Sequence, residues 1–114
     1  TVNITSDGKK YLKKFDFDDL SIQRPKVWDK KWRLVIFDIP EDKKIVREAL
    51  RNKLKILGLV KLQDSIWATP FSCEKEIGLI KSVFNLSDYW LDVIATNNIG
   101  SREYQFRKYF NLIK

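Results

Sequence analysis

The chain has 114 residues, 44% hydrophobic and 32% charged, with a formal net charge of +7, which fits one domain with a modest core. It has no histidine and one cysteine, Cys73. This excludes Ser-His and Cys-His catalysis, an ordinary zinc site and an intrachain disulfide, so any chemistry falls to carboxylates, with magnesium as the natural metal cofactor.

No stretch approaches a membrane span, and the opening TVNITSDGKK lacks the apolar segment of a signal peptide. A reducing, cytoplasmic setting is therefore expected, with no membrane partner. The charge is unevenly spread. Residues 1–31 carry eight Lys/Arg against five acids and 32–57 seven against four, while 58–97 carry three against five and 98–114 four against one. Basic flanks of this kind suit a polyanion and equally suit a plain solvated surface.

In chain order, VNIT reads as a short strand and SDG as a turn. GKKYLKKFDFDDL then alternates charge with isolated aromatics and holds no period. Residues 1–31 are thus expected to form a connecting arm ahead of a domain spanning 32–114. WRLVIFDI is a near-continuous apolar run of strand length. The helix PEDKKIVREALRNKLKILG follows, with Ile45, Val46, Ala49, Leu50, Leu54 and Leu57 on one face. Pro40 suits its first turn, Glu41 and Asp42 its positive end, and Gly58 its terminus. LVKLQ and SIWAT form a hairpin around Asp64, which Pro70 ends.

A second helix begins at Ser72 or Cys73, with Glu74 and Glu76 in its first turn and Ile77, Ile80, Val83 and Phe84 inward. DYWLDVIAT is a fourth strand, with Tyr89, Leu91, Val93 and Ala95 on one side. The closing SREYQFRKYFNLIK is a helix with Phe106, Tyr109, Phe110 and Ile113 at i, i+3, i+4 and i+7. The order βαββαβ predicts an α+β, ferredoxin-like fold: a four-stranded antiparallel sheet with both helices on one face, plus an N-terminal arm and a C-terminal helix. The other face needs a cover, either the C-terminal helix, a partner subunit or both.

Asp38 ends the first strand. At that place an acid is either a metal ligand or a cap accepting hydrogen bonds from the N–H groups at Pro40–Asp42. Lys43, Arg47, Arg51 and Lys55 recur every four residues and predict a basic ridge opposite the core. Such a ridge suits phosphates without base contacts; Glu48 and Asn52 interrupt it, as on an ordinary solvated face. Trp28, Trp32, Trp67 and Trp90 read as packing residues. Cys73 has no base beside it and reads as structural.

The run WDKKWRLVIFDIPEDKKIVREALRNKLKILGLVKLQDSIWATPFSCEKEI resembles the C-terminal domain of the PaaX-like (phenylacetate-degradation repressor) family of transcriptional regulators. That domain is in turn similar to the small CRISPR-associated ferredoxin-fold protein of the spacer-acquisition complex. The strand ending FDIPE, the basic helix, the LQxSIW hairpin and Pro70 carry the resemblance, over roughly 28–97. ITSDGKKYLKKF is similar to the end of the wing of a winged-helix domain. The resemblance implies a homodimer whose winged helices, outside this segment, make the base contacts to DNA. Its CRISPR-associated branch implies paired Asp38 carboxylates holding magnesium across a two-fold axis, the arrangement of a metal-dependent nuclease.

Overall fold

The computed structural model describes residues 16–112. Strand β1 (Trp32–Phe37) leads through a 3-10 turn (Glu41–Lys43) into helix α1 (Lys44–Ile56). The hairpin of β2 (Val60–Gln63) and β3 (Ile66–Thr69) follows, then α2 (Glu74–Phe84), β4 (Leu91–Thr96), a 3-10 turn (Gly100–Arg102) and α3 (Glu103–Tyr109). The strands lie in the order β2-β3-β1-β4 with every neighbouring pair antiparallel. This is the predicted α+β, ferredoxin-like topology. The expected VNIT strand lies outside the described residues.

The pleat divides β1 between two cores. Val35 and Phe37 point to the helices and are buried with Leu50 and Leu54 of α1, Ile77 and Ile80 of α2, Trp67 of β3 and Leu91 of β4. Each such side chain contributes about 1.5–3 kcal/mol by leaving water. The α1 face is rotated from the predicted one. Ile45 is 86% exposed, because the buried stripe of Leu50, Lys53 and Leu54 continues through Val46 and Leu57, roughly 100° around the helix from residue 45. Lys53, a charged residue the hydrophobic pattern skips, is buried with its ammonium 4.5 Å from the centre of the Phe17 ring. Tyr89 also departs from expectation: β4 begins only at Leu91, which leaves Tyr89 in the preceding turn and 86% exposed.

Helices α1, α2 and α3 end alike. After α1, the N–H of Gly58 donates to Lys55 O (3.0 Å) and that of Leu59 to Leu54 O (3.1 Å). Asn85 and Asn111 close α2 and α3 in the same way, with φ of 56° and 60°. This is the left-handed C-terminal motif, which glycine and asparagine tolerate best.

Trp32, on the opposite side of β1, belongs to a second cluster. It is buried with Phe71 and Phe110, against Trp28, Ile99 and Phe106. Its ring lies 5.4 Å from Trp28 and 6.1 Å from Phe110, both edge-on. Helix α3 therefore covers one end of the second sheet face. Tyr109, expected on its apolar side, is 68% exposed, and Ile113 lies outside the described residues. Beyond α3 that face is open among the described residues. Leu34, Ile36 and Ile66 are half-buried, and Ile94 is 48% exposed.

Described residues of the expected connecting arm pack on the domain. Phe17, Leu20 and Ile22 lie against the first core, with Phe17 edge-on to Phe84 at 5.4 Å. Arg24 donates to Phe110 O (2.8 Å) and stacks over Phe71. One sheet edge, β2, is irregular between Lys61 and Gln63. Arg102 donates to Leu62 O (2.8 Å) there, and Arg51 to Asp64 O (3.1 Å).

Candidate functional site

Asp38 continues β1 by one residue. Its N–H donates to Trp90 O at 2.9 Å, so residue 38 still belongs to the ladder with the chain entering β4. Alternation along β1 places it on the side of Trp32, Leu34 and Ile36, the face away from α1 and α2. Asp92, directly opposite Ile36, falls on the same face as a diagonal neighbour.

The expected helix cap does not form. The cap position of the 3-10 turn is Pro40, which has extended ψ of 151° and no side-chain cap. Asp38 accepts no side-chain hydrogen bond among the described residues and is exposed. Ile39, buried at 5%, takes the helix-facing side instead, which turns the Asp38 carboxylate away from the helix amides. No group of three or more acids, cysteines or histidines gathers around a common point among the described residues. One protomer therefore offers at most Asp38 and Asp92 on this face, and magnesium held by one or two carboxylates completes its shell with waters and substrate phosphates.

The basic ridge runs along the flank of α1 rather than opposite the core. Lys43 and Lys55 are exposed, and the Lys43 ammonium lies 5.6 Å from the centre of the Trp90 ring. Arg47 and Arg51 are half-buried. The Arg51 guanidinium lies over Phe37 (5.9 Å), and it pairs with Glu48 at 2.9 Å besides donating to Asp64 O. Long basic side chains lay their stems along apolar surface in this way. The ridge thus contributes two exposed cations, Arg51 committed to the hairpin, and Arg47 half-buried with its Nε unpartnered among the described residues. The outer face of α1 carries Ile45 and Ile56, at 86% and 66% exposure.

The tryptophans are structural. Trp67 is buried in the main core with its indole N–H donating to Asp64 O at 3.3 Å. Cys73 is fully buried, and that burial pushes its thiol up to about 12, with Glu74 and Glu76 adding to the effect. It is no nucleophile.

Two features escaped the sequence pattern. A groove of about 1160 Å³ separates residues 16–29 from α2, with Arg24, Arg33, Lys75, Asp29 and Glu76 on its walls. At one end Arg33 is 8% exposed. Its guanidinium forks onto both carboxylate oxygens of Asp29 and also donates to Lys31 O (3.0 Å) and Pro70 O (2.8 Å). The ion pair holds the Asp29 carboxyl below its ordinary range and raises the guanidinium further. The only hint in the sequence was an acid four residues before an arginine, on a segment without helical period.

The topology defines a ferredoxin-like α+β domain. The chain belongs to the family described as the PaaX protein central Cas2-like domain, which it matches over residues 25–106. That description puts the domain in the middle of its protein, whereas the sequence resemblance pointed to a C-terminal domain. Nothing among curated proteins or solved structures matches the chain. Among the described residues, no helix is long and apolar enough to cross a membrane.

Proposed function

We propose that this domain is the dimerising module of a PaaX-like, DNA-binding transcriptional regulator, and that it pairs through the open part of its second sheet face. The observation that supports this most directly is the surface left uncovered by α3: Leu34, Ile36 and Ile66 half-buried and Ile94 48% exposed, on neighbouring central and edge strands. A contiguous apolar sheet surface is costly to leave in water. A second copy related by a two-fold axis covers it with the same residues. Residues 1–31 then act as the arm from a winged-helix domain, and the protein works in the cytoplasm. Exposed cations, Lys43 and Lys55 among them, contact the DNA backbone, while Arg51 braces that surface and the half-buried Arg47 adds to its charge.

Light scattering behind size exclusion tests the pairing. The wild-type chain is expected to run as a dimer, and Ile94→Lys as a folded monomer with unchanged circular dichroism. A wild-type monomer at 100 μM would sink the dimer reading.

A second reading is favoured by one specific observation, the free Asp38 carboxylate on that same face. In a dimer, two such carboxylates facing across the axis would hold magnesium, and the domain would act as a metal-dependent nuclease. When bound, the metal would supply a Lewis acid for a phosphoryl oxygen. The chain's own part is to hold the carboxylate at the strand tip, fixed by the bond from its N–H to Trp90 O. Cleavage of single-stranded RNA or duplex DNA with Mg²⁺ or Mn²⁺, abolished by both Asp38→Ala and EDTA, would establish this reading. No cleavage by the folded protein leaves the regulator.

A further inference from the structure

Five described residues have left-handed backbone angles: Gly58, Gly100, Asn85, Asn111 and Lys30. The first four are the residue types that tolerate this conformation. Lys30, with φ of 66°, is not: its β-carbon crowds the next carbonyl. A strained side chain of this kind persists only where its surroundings over-determine it, and such positions cluster at functional sites.

The surroundings of Lys30 do over-determine it. Asp29 Oδ1 accepts the N–H of Lys31 at 3.0 Å and a guanidinium N–H of Arg33 at 3.0 Å. Lys31 O accepts from the Trp28 indole (2.9 Å) and from Arg33 (3.0 Å). Arg33 is itself fixed to Pro70 O, so the turn is tied to β1 and to the end of β3. Trp28 also lies 4.9 Å beneath the Arg107 guanidinium, which brings the turn beside α3.

That contact joins two basic segments far apart in sequence. Lys30 and Lys31 from the turn, Lys26 just before it and Lys108 from the end of α3 are all exposed. None of the four is ion-paired among the described residues. The acids nearby are already engaged, Asp29 by Arg33 and Glu103 by Arg107 at 3.2 Å. The cations therefore project from a rigid mount with little local negative charge.

We infer that the Trp28–Lys31 turn and the end of α3 form a contact surface for the phosphate backbone of duplex DNA, with Lys30 seated on a phosphate. The inference deepens the DNA-binding reading above, rests on it, and adds to the exposed cations of α1 a second, separate contact surface. Duplex DNA is the occupant because its phosphates repeat at fixed spacing, so lysines rooted on a fixed backbone turn meet them without base contacts. An anionic membrane or a flexible acidic peptide attracts lysines without fixed geometry, and would give no reason to keep a lysine in a strained turn.

The test is fluorescence anisotropy of the full chain with a 20-bp duplex across a salt series, paired with thermal melts. Lys30→Gly suits the left-handed angle, so its melting temperature should hold or rise. Its affinity should nevertheless fall about eightfold near 0.1 M salt, and its salt slope should flatten by about 0.9, the signature of one lost phosphate contact. Lys61→Gln, a β2 lysine already paired with Asp64, should match the wild type. If the wild type binds and Lys30→Gly binds equally well, the assignment of this surface is wrong while the DNA reading stands. If the wild type does not bind duplex at 50 mM salt, both are wrong. If Lys30→Gly loses as much affinity for phosphatidylserine vesicles or a polyglutamate peptide as for duplex, the occupant is wrong.

Discussion

Asp29 and Arg33 form an asymmetric pair, and removing each partner should have unequal consequences. The Arg33 side chain is 10% exposed while that of Asp29 is 47% exposed. Asp29→Ala strands a buried guanidinium that keeps only the carbonyls of Lys31 and Pro70, and its Nε already lacks a partner. Breaking a fully buried pair costs about 3–5 kcal/mol; the exposure of Asp29 discounts this to roughly 2–4 kcal/mol. Arg33→Met instead removes the buried charge and keeps most of the stem volume, and the freed Asp29 rehydrates. That change should cost about 1–2 kcal/mol, chiefly from the buried Pro70 carbonyl that loses its donor. In a domain of this size each kcal/mol moves the melting temperature by about 4–8 °C, so urea and thermal melts will separate the two variants. The reasoning fails if Arg33→Met is as destabilising as Asp29→Ala. The pH dependence has a definite sign. Because the folded pKa of Asp29 lies below its ordinary 3.8, its stabilising share is complete above that value and is lost as pH falls through the lower, folded value. Asp29→Ala should therefore flatten the acid limb of the stability curve.

Cys73 should react with iodoacetamide at pH 8 about a thousandfold more slowly than a free thiol, from a pKa near 12 against 9.0 and the thiolate requirement; labelling within tenfold of a free cysteine would refute its burial. Gly58→Ala should cost about 1 kcal/mol by urea denaturation. A β-carbon there meets nothing within 4 Å and the penalty lies wholly in φ of +93°, so a variant as stable as the wild type would refute the backbone account.

Much of the fold was legible because its signals are local. The FDIP strand end, the glycine after α1 and the Asp64 hairpin each carry their own turn chemistry, and each lies where the sequence puts it. Ile45 and Tyr89 were misplaced for one reason: periodicity gives the spacing of a buried face, while its phase is set by where the element begins. The 3-10 turn and the late start of β4 shifted both. Asp38 was ambiguous because the cap and the open-face carboxylate differ only in which way one residue, Ile39, points. The ridge on α1 was readable as spacing, but not the commitment of Arg51 to Glu48 and Asp64, which depends on the hairpin folding beside it. The Lys30 surface was invisible to pattern because its parts lie in different segments and only Trp28 under Arg107 brings them together.

That junction has a consequence for the order of folding. The bond from Arg24 to Phe110 O spans 86 residues, and the contact of Trp28 with Arg107 closes nearly as large a loop. Closing such a loop costs chain entropy before any contact repays it, so hairpins and helices form earlier. The seam between the two ends of the described chain is then the last part to assemble and among the first to open. A surface built across it exists only on fully folded molecules, and a partly folded chain never presents it.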